Sequence, residues 1–321
     1  MRKIIKTLLG IGGAFCLIGA LLFSIGFTSG GTKYVHDTNL NSMNAQEDNK
    51  ESANRFTLKK TEIPDFTSLN INLEDSDLNI EESPNEKSYI EYAQATKDKK
   101  NPVSYSIENG TLTLKEAGNT GASYYINVDI SFLQAALSSK NIEDYTKESS
   151  KYENYVTLYL PKDKLVSSAK IYLGYGDFYV KNAAFDTINI KLDDGDFDAN
   201  TLTANSGKLT FSYGDCDLQK ASLGNISLTS KDGDLTVNEL TLSGKTKIAL
   251  SYGDAEITLN DSTKKVSGFD LATHYGTITA SGLNGNKTVD EDDDVNTFQS
   301  DSKDGKTKLA IDSKDGDITV K

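Results

Sequence analysis

The chain has 321 residues, with 47 acidic against 34 basic side chains and a formal net charge of -13. A charge this negative argues against nucleic acid or an anionic membrane surface as the main partner of the folded part, because both require a basic surface. The length is ample for a buried core and allows one or two domains. A hydrophobic content of 37% is low for a compact globule and favours a thin, extended fold.

The first thirty residues differ from the rest. Arg2, Lys3 and Lys6 precede an uncharged apolar run, residues 8–27, which is about as long as a helix that crosses a bilayer. The sequence therefore predicts a single-pass anchor in the cell membrane over residues 1–30, with its N-terminus in the cytoplasm and everything after it outside. A cleaved signal peptide is the alternative, although the apolar run exceeds a usual signal core and no clear A-x-A site follows it.

Residues 31–55 are polar and rich in Asn, Ser and Gly, which predicts a flexible linker. Strand-like alternation begins near Phe56 and continues through residues 68–80, which form a degenerate first copy of a later repeat, with Ser76 in place of a glycine. Further strand patterns follow. A short helix or loop insertion is predicted near residues 132–152.

One turn motif recurs through the second half of the chain. Copies such as SYGDCDL and KDGDITV place an aspartate directly after a glycine, and most successive copies lie about 19 to 20 residues apart. This spacing is typical of repeat proteins, in which each unit buries its apolar face against its neighbours. The last gap, before Gly316, spans two periods, so we expect an obscured copy within an acidic insertion near residues 284–298. The turn glycines are Gly176, Gly195, Gly214, Gly233, Gly253, Gly276 and Gly316.

Apolar residues recur two and four residues after each turn glycine and five residues before it, with polar residues between them. This is the period-two alternation of strands with one wet face. It predicts an all-β fold, a β-solenoid (β-helix) of roughly 19- to 20-residue repeats within residues 56–321. Cys216 takes one of the apolar positions and is expected to be buried. A series of antiparallel hairpins is the alternative, because Asp-Gly is also a hairpin turn.

The glycine-aspartate pair is interpreted as the corner of each repeat. Glycine supplies a backbone turn with positive φ, and the aspartate after it can accept hydrogen bonds from corner amides. The residue before the glycine alternates between aromatic and acidic, which separates like charges on neighbouring layers. These alternating residues are Tyr175, Asp194, Tyr213, Asp232 and Tyr252.

No catalytic, cofactor-binding or metal-binding residue is predicted. Calcium-binding solenoids need a G-G-x-G-x-D pattern with a nine-residue period, which no copy shows. A carbohydrate-active β-helix enzyme is the less favoured alternative, because no copy carries an acidic or basic constellation that departs from the repeat. His36 and His274, the two histidines, offer no triad, and the acidic run at 290–294 is interpreted as a solvated loop.

The segments FTSLNINLEDSDLNIEES and VTLYLPKDKLVSSAKIYLGYGDFYV, together with the repeated glycine-aspartate units, resemble the "putative adhesin" family of bacterial β-strand-repeat proteins. This domain of unknown function is common in Gram-positive bacteria. The resemblance covers roughly residues 56–321. It implies a β-helical extracytoplasmic domain tied to cell-envelope stress systems, with no established catalytic residues.

We therefore expect a membrane-anchored, non-enzymatic module that binds or senses envelope components, such as cationic peptides, through an acidic face with tyrosines. A structural scaffold that pairs with another membrane protein is the alternative. The C-terminal strand ends at Lys321 with no capping segment after it. We expect this strand to form an exposed edge, available for self-association or for docking by strand addition.

Overall fold

A computed structural model describes residues 54–96, 99–117, 154–290 and 294–321. The predicted anchor at 1–30, nearly all of the predicted linker and the insertion predicted near 132–152 lie outside these residues. Within the described ranges, no helix has the length and apolar character needed to cross a membrane.

The described chain consists almost entirely of strands. The first seven are β1 (Asn54–Ile63), β2 (Ser68–Leu73), β3 (Asp77–Glu82), β4 (Ser88–Thr96), β5 (Val103–Glu108), β6 (Thr111–Glu116) and β7 (Tyr155–Leu160). The next eight are β8 (Leu165–Tyr175), β9 (Phe178–Val180), β10 (Ala183–Asp194), β11 (Phe197–Tyr213), β12 (Cys216–Asp232), β13 (Leu235–Leu242), β14 (Lys245–Tyr252) and β15 (Ala255–Leu259). The remainder are the helix α1 (Asp261–Val266) and strands β16 (Gly268–Tyr275), β17 (Ile278–Ala280), β18 (Asn286–Asp290), β19 (Val295–Ser300), β20 (Lys308–Asp315) and β21 (Ile318–Val320).

The repeats stack in parallel, one coil on the next. Ile190 of β10, for example, lies between Ile171 of β8 and Leu209 of β11, its equivalents in the two neighbouring coils. The prediction of an all-β solenoid is therefore confirmed. The hairpin alternative is wrong for the repeats, because each strand pairs with the equivalent strand of another coil rather than with its own continuation.

Each coil has a strand before the glycine corner and a strand after it. In the middle coils a short third side completes each coil. The third sides of successive coils lie in register with one another and comprise residues 183–185, 202–204, 221–223 and 240–242. The predicted inward positions form the core. Of all the positions predicted to face inward, only Ala280, near the end of the stack, is partly buried rather than fully buried.

Aromatic side chains fill the core of the middle coils. Phe178 and Phe197 stack with their ring centroids 5.0 Å apart, and Phe211 lies 5.9 Å from Phe197. Cys216 follows Phe197 in the same column and is 2% exposed, as predicted for a small apolar residue. Burial raises the pKa of its thiol, so this cysteine is kept protonated and unreactive.

The C-terminal coil does not lie at the end of the stack. Strand β20 pairs with both β14 and β16, and β21 pairs with both β15 and β17. The expectation of an obscured copy near 284–298 is wrong. That segment contains the hairpin of β18 and β19, which stacks antiparallel on β16 and covers this end of the solenoid.

The expectation of an exposed C-terminal strand is wrong for the same reason. Both edges of β21 are hydrogen-bonded to neighbouring strands, and Lys321 continues the pairing. Its amide donates to the carbonyl oxygen of Ile257 at 3.0 Å, and its own carbonyl accepts the amide of Leu259 at 2.7 Å. Strand addition at this position would first require the coil to leave the stack.

The first coil is inserted in the same way. Strand β2 lies between β6 and β8, and β3 lies between β7 and β9. The predicted degenerate copy is confirmed, because Ser76 takes the corner position above Gly176 and is fully buried. Antiparallel strands cover this end. Strand β5 pairs with β6, β4 pairs with β7, and β1 pairs with the other edge of β4.

Helix α1 accounts for the 23-residue spacing between Gly253 and Gly276. The side chain of Asn260 caps its N-terminus and accepts the amide of Thr263 at 2.8 Å. Thr263 is buried, and its hydroxyl accepts the amide of Leu242 at 3.2 Å. The helix thus contacts the third side of the solenoid where that side ends.

Candidate functional site

The glycine corners set how closely successive coils approach. Six of the seven turn glycines have φ values between 116° and 150°, which confirms the predicted positive φ. The space around these glycines excludes a side chain as strongly as their φ values do. A Cβ on Gly195 would lie 2.2 Å from the carbonyl oxygen of Gly176, and one on Gly214 would lie 2.2 Å from that of Gly195. Only glycine allows the corners to stack this closely.

The aspartates that follow the corner glycines form a continuous hydrogen-bonded column, which we call the aspartate ladder. The Oδ1 atom of each ladder residue accepts the backbone N–H of the next at 2.7–2.9 Å, and the Oδ1 atom of Asp317 accepts that of Thr277. The predicted role in accepting corner amides is confirmed, with the amide supplied by the neighbouring coil. In stacking order the ladder is Asp77, Asp177, Asp196, Asp215, Asp234, Asp254 and Asp317.

Directly before the corners runs a second column, which we call the tyrosine-aspartate ridge. The register places Asp315, from the inserted C-terminal coil, between Tyr252 and Tyr275. At the other end, Asp75 aligns with Tyr175. The alternation therefore continues beyond the five residues found in the sequence. In stacking order the ridge is Asp75, Tyr175, Asp194, Tyr213, Asp232, Tyr252, Asp315 and Tyr275.

The ridge tyrosines expose large aromatic surfaces. Their exposed fractions are 50% for Tyr175, 58% for Tyr213, 60% for Tyr252 and 67% for Tyr275. Strands stack about 4.8 Å apart, so consecutive rings are about 9.6 Å apart with one carboxylate between them. The ridge thus presents ring faces and negative charges at regular intervals along the solenoid axis.

Within the described part of the chain, no lysine or arginine forms an ion pair with the ladder aspartates from Asp177 to Asp317. Asp198 and Asp217 add two more carboxylates beside the ladder. Partial burial, followed by the negative charges of Asp217 and the ladder, raises the pKa of Asp198. A bound cation would relieve this repulsion.

Other residues singled out in the sequence lie at the end of the ridge. His274 is exposed and lines a cleft of about 420 Å³ together with Tyr275, Asp290 and Asp294. Residues 291–293 of the acidic run lie outside the described ranges. Among the residues that the structure describes, no three His, Cys, Asp or Glu side chains are grouped so that they could hold a metal ion.

Glu116 caps the other end of the ridge. Its Oε2 atom accepts the backbone amides of Glu74 and Asp75 at 2.9 and 3.0 Å, and the residue is 7% exposed. Burial raises the pKa of Glu116 above its ordinary value of 4.5, although these two hydrogen bonds act in the opposite direction. The sequence carried no signal for this role, since Glu116 follows an ordinary strand pattern.

We expect Glu116→Gln to flatten the pH dependence of stability. Because the folded-state pKa is raised, the carboxylic acid stabilises the fold below pH 4.5, and that stability is lost as pH rises through the folded-state pKa. Glutamine can accept the same two amides without a charge. Urea denaturation of the full-length protein from acid to mildly alkaline pH should show a shallower decline in the variant. Glu108→Gln, at an exposed position on the same hairpin, should keep the wild-type slope; equal slopes in all three proteins would contradict the assignment.

The sequence profile of the Toastrack DUF4097 family matches residues 66–321. No curated protein matches the chain. Similar solved structures include a "putative cell adhesion protein" of Clostridium sporogenes, with 12% identity and a TM-score of 0.31 over 84% of this chain and 99% of that one. A "putative adhesin" of Bacteroides fragilis has 11% identity and a TM-score of 0.39 over the same shares of the two chains.

A third structure, a "putative lipid binding protein" of Parabacteroides distasonis, has 12% identity and a TM-score of 0.38 over 84% of this chain and 98% of that one. Similarity at this level carries no information about ligands. The family match does not depend on it, since it spans most of the chain. The resemblance found in the sequence is thereby confirmed, and the chain belongs to the Toastrack DUF4097 family.

Proposed function

We propose that the protein is a non-enzymatic binding module of the cell envelope, which captures extended cationic peptides along the tyrosine-aspartate ridge. The observation that supports this most directly is the alternation of four exposed tyrosines with four aspartates beside the aspartate ladder. Tyrosine faces attract ammonium and guanidinium groups, and the carboxylates between them add Coulomb attraction.

The period of the ridge defines the ligand further. A peptide in the polyproline II conformation has three residues per turn and advances about 3.1 Å per residue, so every third side chain lies on the same face, about 9.3 Å from the last, which is close to the length of two coils, about 9.6 Å. A peptide that lies along the ridge with Lys or Arg at every third position would therefore place each cation at an equivalent ring or carboxylate. Each exposed cation–π contact contributes only about 0.5–1 kcal/mol, so affinity would come from several contacts together.

The same proposal places the solenoid outside the cytoplasm. The predicted helix at residues 8–27 would hold the solenoid on the outer side of the cell membrane, where cationic peptides arrive from the surroundings. No catalytic step is needed for this role, because the ridge acts by charge and ring geometry alone. Screening by salt should weaken the interaction, since all ridge residues lie at the surface.

The test compares two peptides of equal composition, one with lysine at every third position and one with the same lysines clustered. Isothermal titration of the full-length protein should show tighter binding of the periodic peptide. Tyr252→Ser should weaken that binding several-fold, by about the loss of one cation–π contact. Tyr105→Ser removes an exposed tyrosine away from the ridge and should leave it unchanged.

Two results would overturn the proposal. One is equal affinity for both peptides, which would show that the ridge period is irrelevant. The other is unchanged binding in Tyr252→Ser, which would place the peptide elsewhere.

Labelled periodic peptide should also bind to intact protoplasts of expressing cells; binding only after lysis would contradict the outward orientation. If no peptide binds and a membrane protein copurifies instead, the scaffold role takes its place.

A further inference from the structure

A second periodic column runs along the outward face of the strands that precede the corners, apart from the ridge. It consists of the residue six positions before each turn glycine from Gly176 to Gly253, and of its equivalent in the first coil. Beyond this stretch the same position holds Ala310 and then Asp270, so the lysines end there. Lysine occupies every second coil, and neutral polar residues lie between the lysines. In stacking order this lysine column is Asn70, Lys170, Asn189, Lys208, Ser227 and Lys247.

The lysine column is a positive feature on a strongly negative protein. Lys170, Lys208 and Lys247 are exposed, and none forms an ion pair with another residue that the structure describes. Lys191, which lies beside the column, differs from them: its Nζ atom is 2.7 Å from Asp193 and lies over the ring of Tyr172. The three column lysines thus keep their charges for a ligand, at intervals of about 9.6 Å.

The first four residues of the column, from Asn70 to Lys208 in stacking order, also line a concavity. A cleft of about 550 Å³ lies over four neighbouring coils, and its polar lining includes amides, a phenol and ammonium groups. Side-chain amides can both donate and accept hydrogen bonds, which suits the hydroxyl groups of sugars. The polar residues that line the cleft include Asn70, Asn72, Lys170, Tyr172, Asn189 and Lys208.

We propose that this cleft and the lysine column bind an extended acidic polysaccharide that carries one carboxylate on every second sugar. Such a chain spaces its charges over a length comparable to two coils, and its hydroxyl groups face Asn189 and Ser227, which lie between the lysines. A densely charged polymer fits poorly. A nucleic acid strand carries a charge about every 3.4 Å, so most of its charges would lie between lysines while the net charge of -13 repels them.

The experiment uses the full-length protein and defined probes. Hyaluronate oligosaccharides carry one carboxylate per two sugars, polygalacturonate oligosaccharides carry one on every sugar, and chitin oligosaccharides are neutral. Titration calorimetry should give the tightest binding for hyaluronate, with polygalacturonate and single-stranded DNA weaker and chitin weakest. The triple variant Lys170→Gln, Lys208→Gln, Lys247→Gln should bind hyaluronate about tenfold more weakly.

The matched control removes three exposed lysines outside the column: Lys162→Gln, Lys265→Gln and Lys303→Gln. It changes the net charge equally and should retain wild-type affinity. An equal loss in both triple variants, or binding of polygalacturonate or DNA as tight as that of hyaluronate, would reduce the effect to general charge attraction and overturn the proposal. Binding of the periodic cationic peptide should be no weaker in the column variant, which separates this site from the ridge.

Discussion

Phe211→Asp will destabilise the solenoid by about 4 kcal/mol or more, the largest effect that we expect from a single side-chain exchange. Phe211 is 2% exposed, and its ring lies 5.9 Å from that of Phe197 inside the middle coils. Aspartate would remove the ring and leave a charge with no water and no described basic group at that position. Urea denaturation of the full-length protein, followed by circular dichroism, measures the loss.

Two control variants accompany Phe211→Asp. Phe211→Leu keeps the position apolar and should cost about 1–2 kcal/mol, so it can be measured even where the aspartate variant does not fold. Asp217→Asn lies on the outward side of the adjoining strand and should change stability by less than about 1 kcal/mol. If Asp217→Asn were as damaging as Phe211→Asp, the inward and outward assignment of these strands would be wrong.

The local structure of each coil could be predicted because its signals are local. The alternation around Ile190 decides which side chains face inward, and the corner before Asp196 is encoded by Gly195, where a Cβ would lie 2.2 Å from a backbone oxygen of the neighbouring coil. The aspartate ladder follows from the same short motif. These features repeat, and repetition shows that equivalent residues stack.

The order of the coils could not be predicted, because nearly identical edges can pair with one another. The strand edge after Tyr252 accepts Asp315 from a distant part of the chain instead of Tyr275, the next corner in sequence. Nothing in the local pattern distinguishes these two pairings. The lysine column was missed for a related reason: Lys170, Lys208 and Lys247 form a column only once the register is known.

The inserted C-terminal coil has a consequence for the ridge. If the coils followed sequence order, Tyr252 would lie beside Tyr275, and Asp315 would lie at the end. The observed order separates the two tyrosines by a carboxylate and carries the alternation through the full stack. Alternation of tyrosine with aspartate on one face of a sheet keeps the carboxylates of neighbouring strands apart. The insertion therefore completes the ridge and also pairs both edges of the last coil.

Gly214→Ala should cost about 3 kcal/mol or more, because the corner glycine is needed for two independent reasons. Its φ of 116° disfavours a side chain, and a Cβ would lie 2.2 Å from the carbonyl oxygen of Gly195. Relief requires the two corners to separate. That movement would stretch the 2.8 Å hydrogen bond from the amide of Asp215 to the carboxylate of Asp196.

The matched control is Gly305→Ala, since Gly305 also has a positive φ, 68°, but no atom lies within 4 Å of a Cβ built there. This variant should lose only about 1 kcal/mol, the conformational part of the cost. The difference between the two variants in urea denaturation then isolates the close stacking of the corners. Amide exchange at Asp215 should also accelerate in Gly214→Ala and not in Gly305→Ala. Equal losses of stability, with Asp215 equally protected in both, would mean that the corners tolerate separation and that the aspartate ladder does not depend on their close approach.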